Sequence, residues 1–217
     1  MTEILVWGGQ GQAKVLRPIL EAAGHRIALV YDRKPGLAAP FPDVPLISDE
    51  AAIEAWLARR SGALGFVIAI GGEHGRERCR IARSLTARGL MPITALHERA
   101  WIADSATVGA GSHVLAMAAV CVQARLGEQC IINTNASIDH ECVLGDGVHV
   151  MPGATIAGCV RVEDYATIGS NATILPRLRI GEEAVIGAGA VVIADVPPRT
   201  RMVGAPARPI DAKGSRG

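Results

Sequence analysis

Between Trp101 and Val196 the chain places an aliphatic residue at every sixth position without a break. The register runs through Ile102, Val108, Val114, Val120, Leu126, Ile132, Ile138 and Leu144 and continues to Val192; all sixteen members are Ile, Leu or Val. The stretch holds 28 such residues, so an even spread over six registers would put fewer than five in any one, and composition alone does not produce the pattern. A second register, four residues after each aliphatic, is Ala, Ser, Cys or Val at fifteen of sixteen places, Leu178 being the exception. Side chains alternate across a strand, so this small residue and the aliphatic two places later share one face and both point inward. The two residues before the small one turn a corner. A chain that turns in every hexad closes into a polygonal coil, and a fixed short period marks a solenoid of stacked coils. With three hexads to a coil, each coil has eighteen residues and the stretch makes a little over five. At about 4.8 Å between strands the column is roughly 25 Å tall. The number of sides and the hand of the coil do not follow from periodicity.

Residues 1–96 alternate differently. Apolar runs at Glu3–Trp7, Ile27–Tyr31 and Gly65–Ile70 read as strands, and Gln12–Ala23, Asp49–Arg60 and Gly75–Arg88 read as helices. Strands alternating with helices predict a small parallel α/β domain. The expected organisation is therefore an α/β domain over 1–96, a solenoid over 97–196 and a basic tail over 197–217. No Gly/Ser linker separates the first two, so they are expected to pack rigidly.

Composition narrows the function. A net charge of +1 and a pI near 7.7 give no general attraction to nucleic acid or membrane. The opening MTEILVWGG lacks a basic segment followed by an apolar one, and no apolar run reaches the ~18 residues of a spanning helix, so a cytoplasmic protein is expected. Aromatics make up 3%, as a narrow prism with no room for rings requires. The five cysteines, Cys79, Cys121, Cys130, Cys142 and Cys159, form no CxxC pair, and neither disulfides nor structural zinc is expected. None is expected to lie beside the candidate base described next.

Three groups of residues carry candidate chemistry. The loop Gly9-Gln10-Gly11-Gln12-Ala13-Lys14 follows the first strand and opens the first helix, where backbone N–H groups can meet a phosphate. Asp32 ends the second strand at the place of a ribose-binding acid, and Gly71 and Gly72 follow the third as the opposite wall of a Rossmann-like crevice. The fingerprint is incomplete, because Lys14 stands where a third small residue belongs; a plain strand-to-helix turn is the competing reading. The second group is His140 and Glu141, at a corner of the prism and facing outward. One coil above His140 stands Gly158, which leaves room for a ligand and a free N–H, and imidazole titrates close enough to neutrality to act as a base. His149, between inward Val148 and Val150, also faces outward; Asn133 and Asn135 precede the pair. His113 and His149 stand two coils apart, about 10 Å, which is too far for one metal ion. The third group is the basic tail, where Arg201 and Arg208 are candidates for phosphate contacts against the alternative of a frayed end.

The sequence resembles the hexapeptide-repeat acyltransferases with a left-handed β-helix, and within them the sugar acetyltransferases related to sialic acid O-acetyltransferase and the bacillosamine and perosamine N-acetyltransferases. The resemblance rests on IINTNASIDHECVLGDGVHVMPGATIAG (residues 131–158), VGAPAR (203–208) and, less specifically, GGQGQAK. It implies a homotrimer with acetyl-CoA as co-substrate in the groove between subunits, no metal, and an N-terminal domain holding a nucleotide-linked sugar through Gly9, Gly11, Gln12, Lys14, Asp32, Gly71 and Gly72. It further implies His140 as general base, Glu141 as its orienting carboxylate, His149 and Gly158 at the acetyl thioester, and Arg201 and Arg208 at the CoA phosphates. The expected reaction is N-acetylation of an amino-deoxy sugar by direct attack, for bacterial surface glycan synthesis. O-acetylation of a hydroxyl is the nearest alternative; an intersubunit zinc site of carbonic-anhydrase type and a non-enzymatic scaffold are alternatives of other classes. Departures from the family pattern fall in the sugar half: Gln12 replaces a His, His97-Glu98-Arg99-Ala100 replaces His-Pro-Ser-Ala, and Gly72-Glu73-His74 replaces a segment with Asp or Asn.

Overall fold

The computed structural model describes residues 2–60 and 62–210. The N-terminal domain contains β1 (Glu3–Trp7), α1 (Gly11–Ala22), β2 (Arg26–Tyr31), β3 (Leu46–Ile47), α2 (Glu50–Ala58), β4 (Leu64–Ile68), α3 (Gly75–Ala87) and β5 (Met91–Pro92). The sheet is parallel throughout, in the order β3-β2-β1-β4-β5. Each long element lies within two residues of its expected bounds. The two-residue edge strands β3 and β5 are too short to show a period in the sequence. Strand order reverses between β1 and β4, which opens a crevice beyond their C-terminal ends.

The second domain is a left-handed parallel β-helix, a prism of three parallel sheets. Ala119 pairs with Ser137 and Arg125 with Arg161 by way of Val143, each step spanning eighteen residues, so three hexads close one coil. Its strands are two residues long. From Val114 to Val192 every member of the six-residue register is at most 5% exposed, and Ala118, Ala124, Ala136 and Ala154 fill the small register beside them. A buried aliphatic is worth about 1.5–3 kcal/mol, so this column accounts for much of the driving force of the domain. Leu178, the one large residue in the small register, is only partly buried.

The corners share one backbone conformation. All fourteen residues three places after the aliphatic, from Gly111 to Gly189, have positive φ, and only four of them are glycine. Left-handed backbone costs a non-glycine residue roughly 1–2 kcal/mol. The ladder compensates, because each such N–H donates to the coil below, as Glu141 does to Val122 (3.0 Å) and Cys159 to His140 (2.9 Å).

The domain boundaries differ from expectation at both ends. β6 (Ala95–Leu96) already pairs with His113–Val114 as part of the prism. Residues Arg201–Val203 extend the same sheet in parallel, and Arg208–Ile210 adds an antiparallel edge, so the basic tail is structural as far as 210. Lys213 and Arg216 lie outside the described residues.

The N-terminal domain packs on the eight-stranded face of the prism. Its outward column of His113, Ile131, His149 and Thr167 is buried beneath that domain, at most 4% exposed. The helix α3 touches the prism so closely that a Cβ on Gly75 would lie 2.3 Å from the Gly147 carbonyl oxygen. Arg78, fully buried, spans the junction: its guanidinium donates to the carbonyls of Gln129 (3.2 Å), Ile70 (3.2 Å) and Gly147 (2.7 Å). Burial lowers its pKa to about 10, and no acid pairs with it among the described residues.

Burial also depresses both histidines, His149 to about 4 and His113 to about 3. They are neutral in the fold, whereas in the unfolded chain they take up protons below about 6.5. The stability they confer is therefore complete above about 6.5 and lost as pH falls through about 4 and then about 3. Thermal denaturation across pH 7 to 4 is expected to show Tm falling with pH, and the slope to be shallower in His149→Asn.

Candidate active site

The crevice takes its shape from the loop after β1. Gly8, at φ 110°, approaches so closely that a Cβ would lie 2.6 Å from the Ala69 carbonyl oxygen, so this glycine, more than Gly9 or Gly11, is the one the loop cannot replace. Gly9 N–H donates to the Asp32 carboxylate (2.8 Å), whose other oxygen accepts from Lys34 N–H (2.9 Å). Asp32 thus braces the loop as well as facing a cavity of about 200 Å³ lined by Trp7, Gly8, Gln10, Arg33 and Ile70. Among the described residues no side chain caps the N-terminus of α1, a helix end of the kind that stabilises a phosphate. Lys14 is exposed on the first turn. Gln12 turns the other way, its amide 3.5 Å from His113 Nδ1 at the domain junction, while His113 Nε2 is buried with no partner among the described residues.

Ile70, and not the expected Gly71 and Gly72, lines the other side of that cavity; Gly72 instead carries a link to the prism. Its carbonyl accepts from His149 Nδ1 (3.1 Å), which leaves His149 Nε2 free to accept from the Asn133 amide (3.4 Å) and fixes the tautomer. His149 does point away from the prism axis as expected, but at 4% exposure it is covered by its own N-terminal domain and is not solvated. Between it and His113 stands Ile131, so no metal ion could be shared by the two.

His140 and Glu141 lie at a corner of the prism, both exposed. His140 Nδ1 faces Glu141 Oε2 at 3.1 Å. The carboxylate accepts the Nδ1 proton, so the lone pair lies on Nε2. A Cβ built on Gly158 would fall 2.3 Å from that nitrogen, which puts Nε2 directly over the Gly158 backbone. Among the described residues nothing accepts the Gly158 N–H. Contrary to expectation, a cysteine stands beside the pair: Cys159 Sγ is 4.0 Å from His140 Nδ1 and 3.7 Å from Glu141 Oε2. The other thiols fit their expected roles; Cys130 and Cys142 are buried in the small register, where burial raises them to about 12 and 11.

The two halves of the candidate site are not brought together within one chain. Ser137–Ile138 belongs to the six-stranded sheet and Val143–Leu144 to the five-stranded sheet, so His140 occupies the corner between them. That corner is opposite the eight-stranded face, on which the chain's own N-terminal domain sits. Arg201 and Arg208 separate as well. Both guanidinium nitrogens of Arg201 are held by Glu73 of the N-terminal domain (2.9 and 2.7 Å), whose carboxyl the arginine keeps below its ordinary range; Arg208 is exposed on the terminal hairpin. Arg201, Arg76 and Arg199 line the largest cavity described, about 550 Å³, which lies between the two domains and does not touch His140.

A prism with a carboxylate-braced imidazole over a glycine, carrying an α/β domain with an open crevice, has the form of a hexapeptide-type acyltransferase. Residues 159–194 match the family model described as bacterial transferase hexapeptide (six repeats). Over 97% of its length the chain is similar to PerB from Caulobacter crescentus, solved with CoA and GDP-perosamine, at 31% identity, 98% coverage of that chain and a TM-score of 0.87. It is also similar to the acetyltransferase domain of PglB from Neisseria gonorrhoeae (27% identity, 97% and 100% coverage, TM-score 0.84) and to WeeI from Acinetobacter baumannii (26%, 97% and 100%, 0.86). The chain belongs to the hexapeptide-repeat sugar acetyltransferases.

Gly158 lies outside the left-handed region, so alanine there meets no backbone penalty, only the imidazole. Gly158→Ala is expected to leave Tm within a few degrees of wild type and to reduce kcat for acetyl transfer by on the order of a hundredfold, the scale of a lost general base. Steady-state kinetics beside a thermal melt checks both.

Proposed function

We propose that the protein transfers the acetyl group of acetyl-CoA to an amino group of a nucleotide-linked amino-deoxy sugar, by direct attack with His140 as general base. The observation that carries this reading is the disposition of His140: Nδ1 held by Glu141, Nε2 over Gly158. A sugar ammonium is not a nucleophile until it loses a proton, and Nε2 accepts it. The amine then attacks the thioester carbonyl, Glu141 stabilises the imidazolium, and the Gly158 N–H donates to the tetrahedral oxyanion. Collapse expels the CoA thiolate, which takes the first proton back from His140, and the second proton of the former ammonium leaves the new amide nitrogen for solvent. No covalent enzyme intermediate is required. PerB, solved with CoA and GDP-perosamine, and the PglB domain, solved with acetyl-CoA, support the pairing of these two substrates.

The sugar nucleotide is assigned to the crevice side of the N-terminal domain, to Gly9, Gly11, Lys14, Asp32, Gly71 and Gly72, with His149 holding the Gly72 carbonyl. Because His140 lies on the far side of the prism from that crevice, we assign each complete site to two copies of the chain, in a homotrimer of prisms with acetyl-CoA in the groove between them. Arg208, and Arg201 on release from Glu73, are assigned to the CoA phosphates. Among the described residues no helix is long and apolar enough to cross a membrane, and the proposed location is the cytoplasm, where acetyl-CoA is made.

Acetyl transfer across a panel of UDP-, GDP- and dTDP-linked amino sugars tests the reading, with the acetylated atom identified by NMR. Product acetylated at nitrogen is expected; acetylation at a hydroxyl with amino sugars inert would overturn N-transfer in favour of O-transfer. His140→Asn is expected to lower kcat by about 10²–10⁴-fold with KM for acetyl-CoA largely kept. Arg208→Ala is expected to raise that KM and leave kcat near wild type.

A further inference from the structure

We infer that His140, Glu141 and Cys159 form a binding site for a thiophilic divalent cation, Zn²⁺ above all, whose occupancy switches off acetyl transfer. The inhibitory half rests on the role proposed for His140; the binding half does not.

The three ligand atoms form a triangle with edges of 3.1, 3.7 and 4.0 Å. Metal–ligand distances of about 2.3 Å to sulfur and about 2.0–2.2 Å to nitrogen and oxygen put tetrahedral ligands roughly 3.5 Å apart, so one ion fits these three atoms with small rotamer adjustments. The donors are an imidazole, a carboxylate and a thiol, the set zinc prefers, and a fourth position faces solvent. Their placement is built into the repeat. Glu141 and Cys159 are one coil apart at the same corner position, with φ of 58° and 62°, so their side chains leave the backbone in parallel. A ladder hydrogen bond from Cys159 N–H to the His140 carbonyl (2.9 Å) fixes the spacing of the two coils. The corner therefore presents the donors with little to reorganise. Cys159 is partly exposed, unlike Cys79, Cys130 and Cys142, which are buried.

Binding the ion consumes what the base needs. Zn²⁺ at Nδ1 displaces the proton that Glu141 otherwise holds there, and a neutral imidazole then carries its proton on Nε2, the nitrogen over Gly158. That nitrogen becomes a donor and accepts no proton from the sugar amine. Glu141 is occupied by the same ion. The balance is simple: Zn²⁺ replaces the proton of the Cys159 thiol, which goes to solvent, and the imidazole changes tautomer without change of charge. Removing the ion reverses every step.

Co²⁺ titrated into the full-length protein reports on binding alone, through its thiolate-to-cobalt charge-transfer absorption. One equivalent should produce that band, added Zn²⁺ should remove it, and Cys159→Ser should lose it. Absence of the band in wild type, or its persistence in Cys159→Ser, would sink the site. Acetyl transfer is then measured with Zn²⁺ and after chelator, each variant relative to its own metal-free rate. Inhibition that a chelator reverses in wild type, and that Cys159→Ser has lost, is expected. A charge-transfer band with undiminished transfer would leave the ion site standing, and would overturn both the inhibition and the base role of His140. A Glu141→Gln variant, expected to bind Co²⁺ more weakly with the band retained, separates loss of a ligand from loss of fold should Cys159→Ser prove unstable.

Discussion

Closure of the coil in eighteen residues is the constraint on which the rest of this structure depends. The fourteen corners from Gly111 to Gly189 all turn on a left-handed residue, and ten of them supply it without glycine, at a cost the ladder hydrogen bonds offset. Once closure is met, residues eighteen apart are stacked at the spacing of neighbouring strands, whatever their chemistry. His140 lies against Gly158 and Glu141 against Cys159 for this reason alone. The backbone that carries the candidate base is thus placed by hydrogen bonds among backbone atoms and by a packed aliphatic column, and Glu141 braces its imidazole.

The N-terminal domain turns one of the three faces from a surface into a core. Two histidines on that face become neutral, and Arg78 exchanges hydration for three carbonyl oxygens. A buried charge without an acid is costly, and removing the arginine would strand those carbonyls instead. The junction also ties the two domains together: His149 holds the Gly72 carbonyl, so the loop after β4 is hung from the prism.

The repeat, its inward registers, the three helices and the three long strands of the first domain were all legible, because each carries a period that burial imposes. Counting by eighteen located Gly158 over His140. The same count from Glu141 reaches Cys159, so the signal for that neighbour was present and went unread. Other features left no periodic trace. Whether His113 and His149 face water depends on what covers the prism, and outward register alone says nothing of a second domain. Arg78 sits in a helix rich in arginine, and nothing local distinguishes the buried one from Arg76, Arg80 and Arg83. Asp32 matched a ribose-binding position, yet its contacts also show it bracing the loop, a role that spacing does not separate from the other. Arg201 read as free charge because its partner, Glu73, lies 128 residues away.

The opposition of His140 and the N-terminal domain across one prism has a genetic consequence. If each site draws its base from one copy and its crevice from another, a defect in the base and a defect in the crevice are complementable when carried on different chains. Two inactive alleles expressed together would then yield some oligomers with one intact site, while both lesions on one chain would also spoil sites shared with sound copies. Dominance and rescue would thus be set by which corner of the prism a mutation falls on.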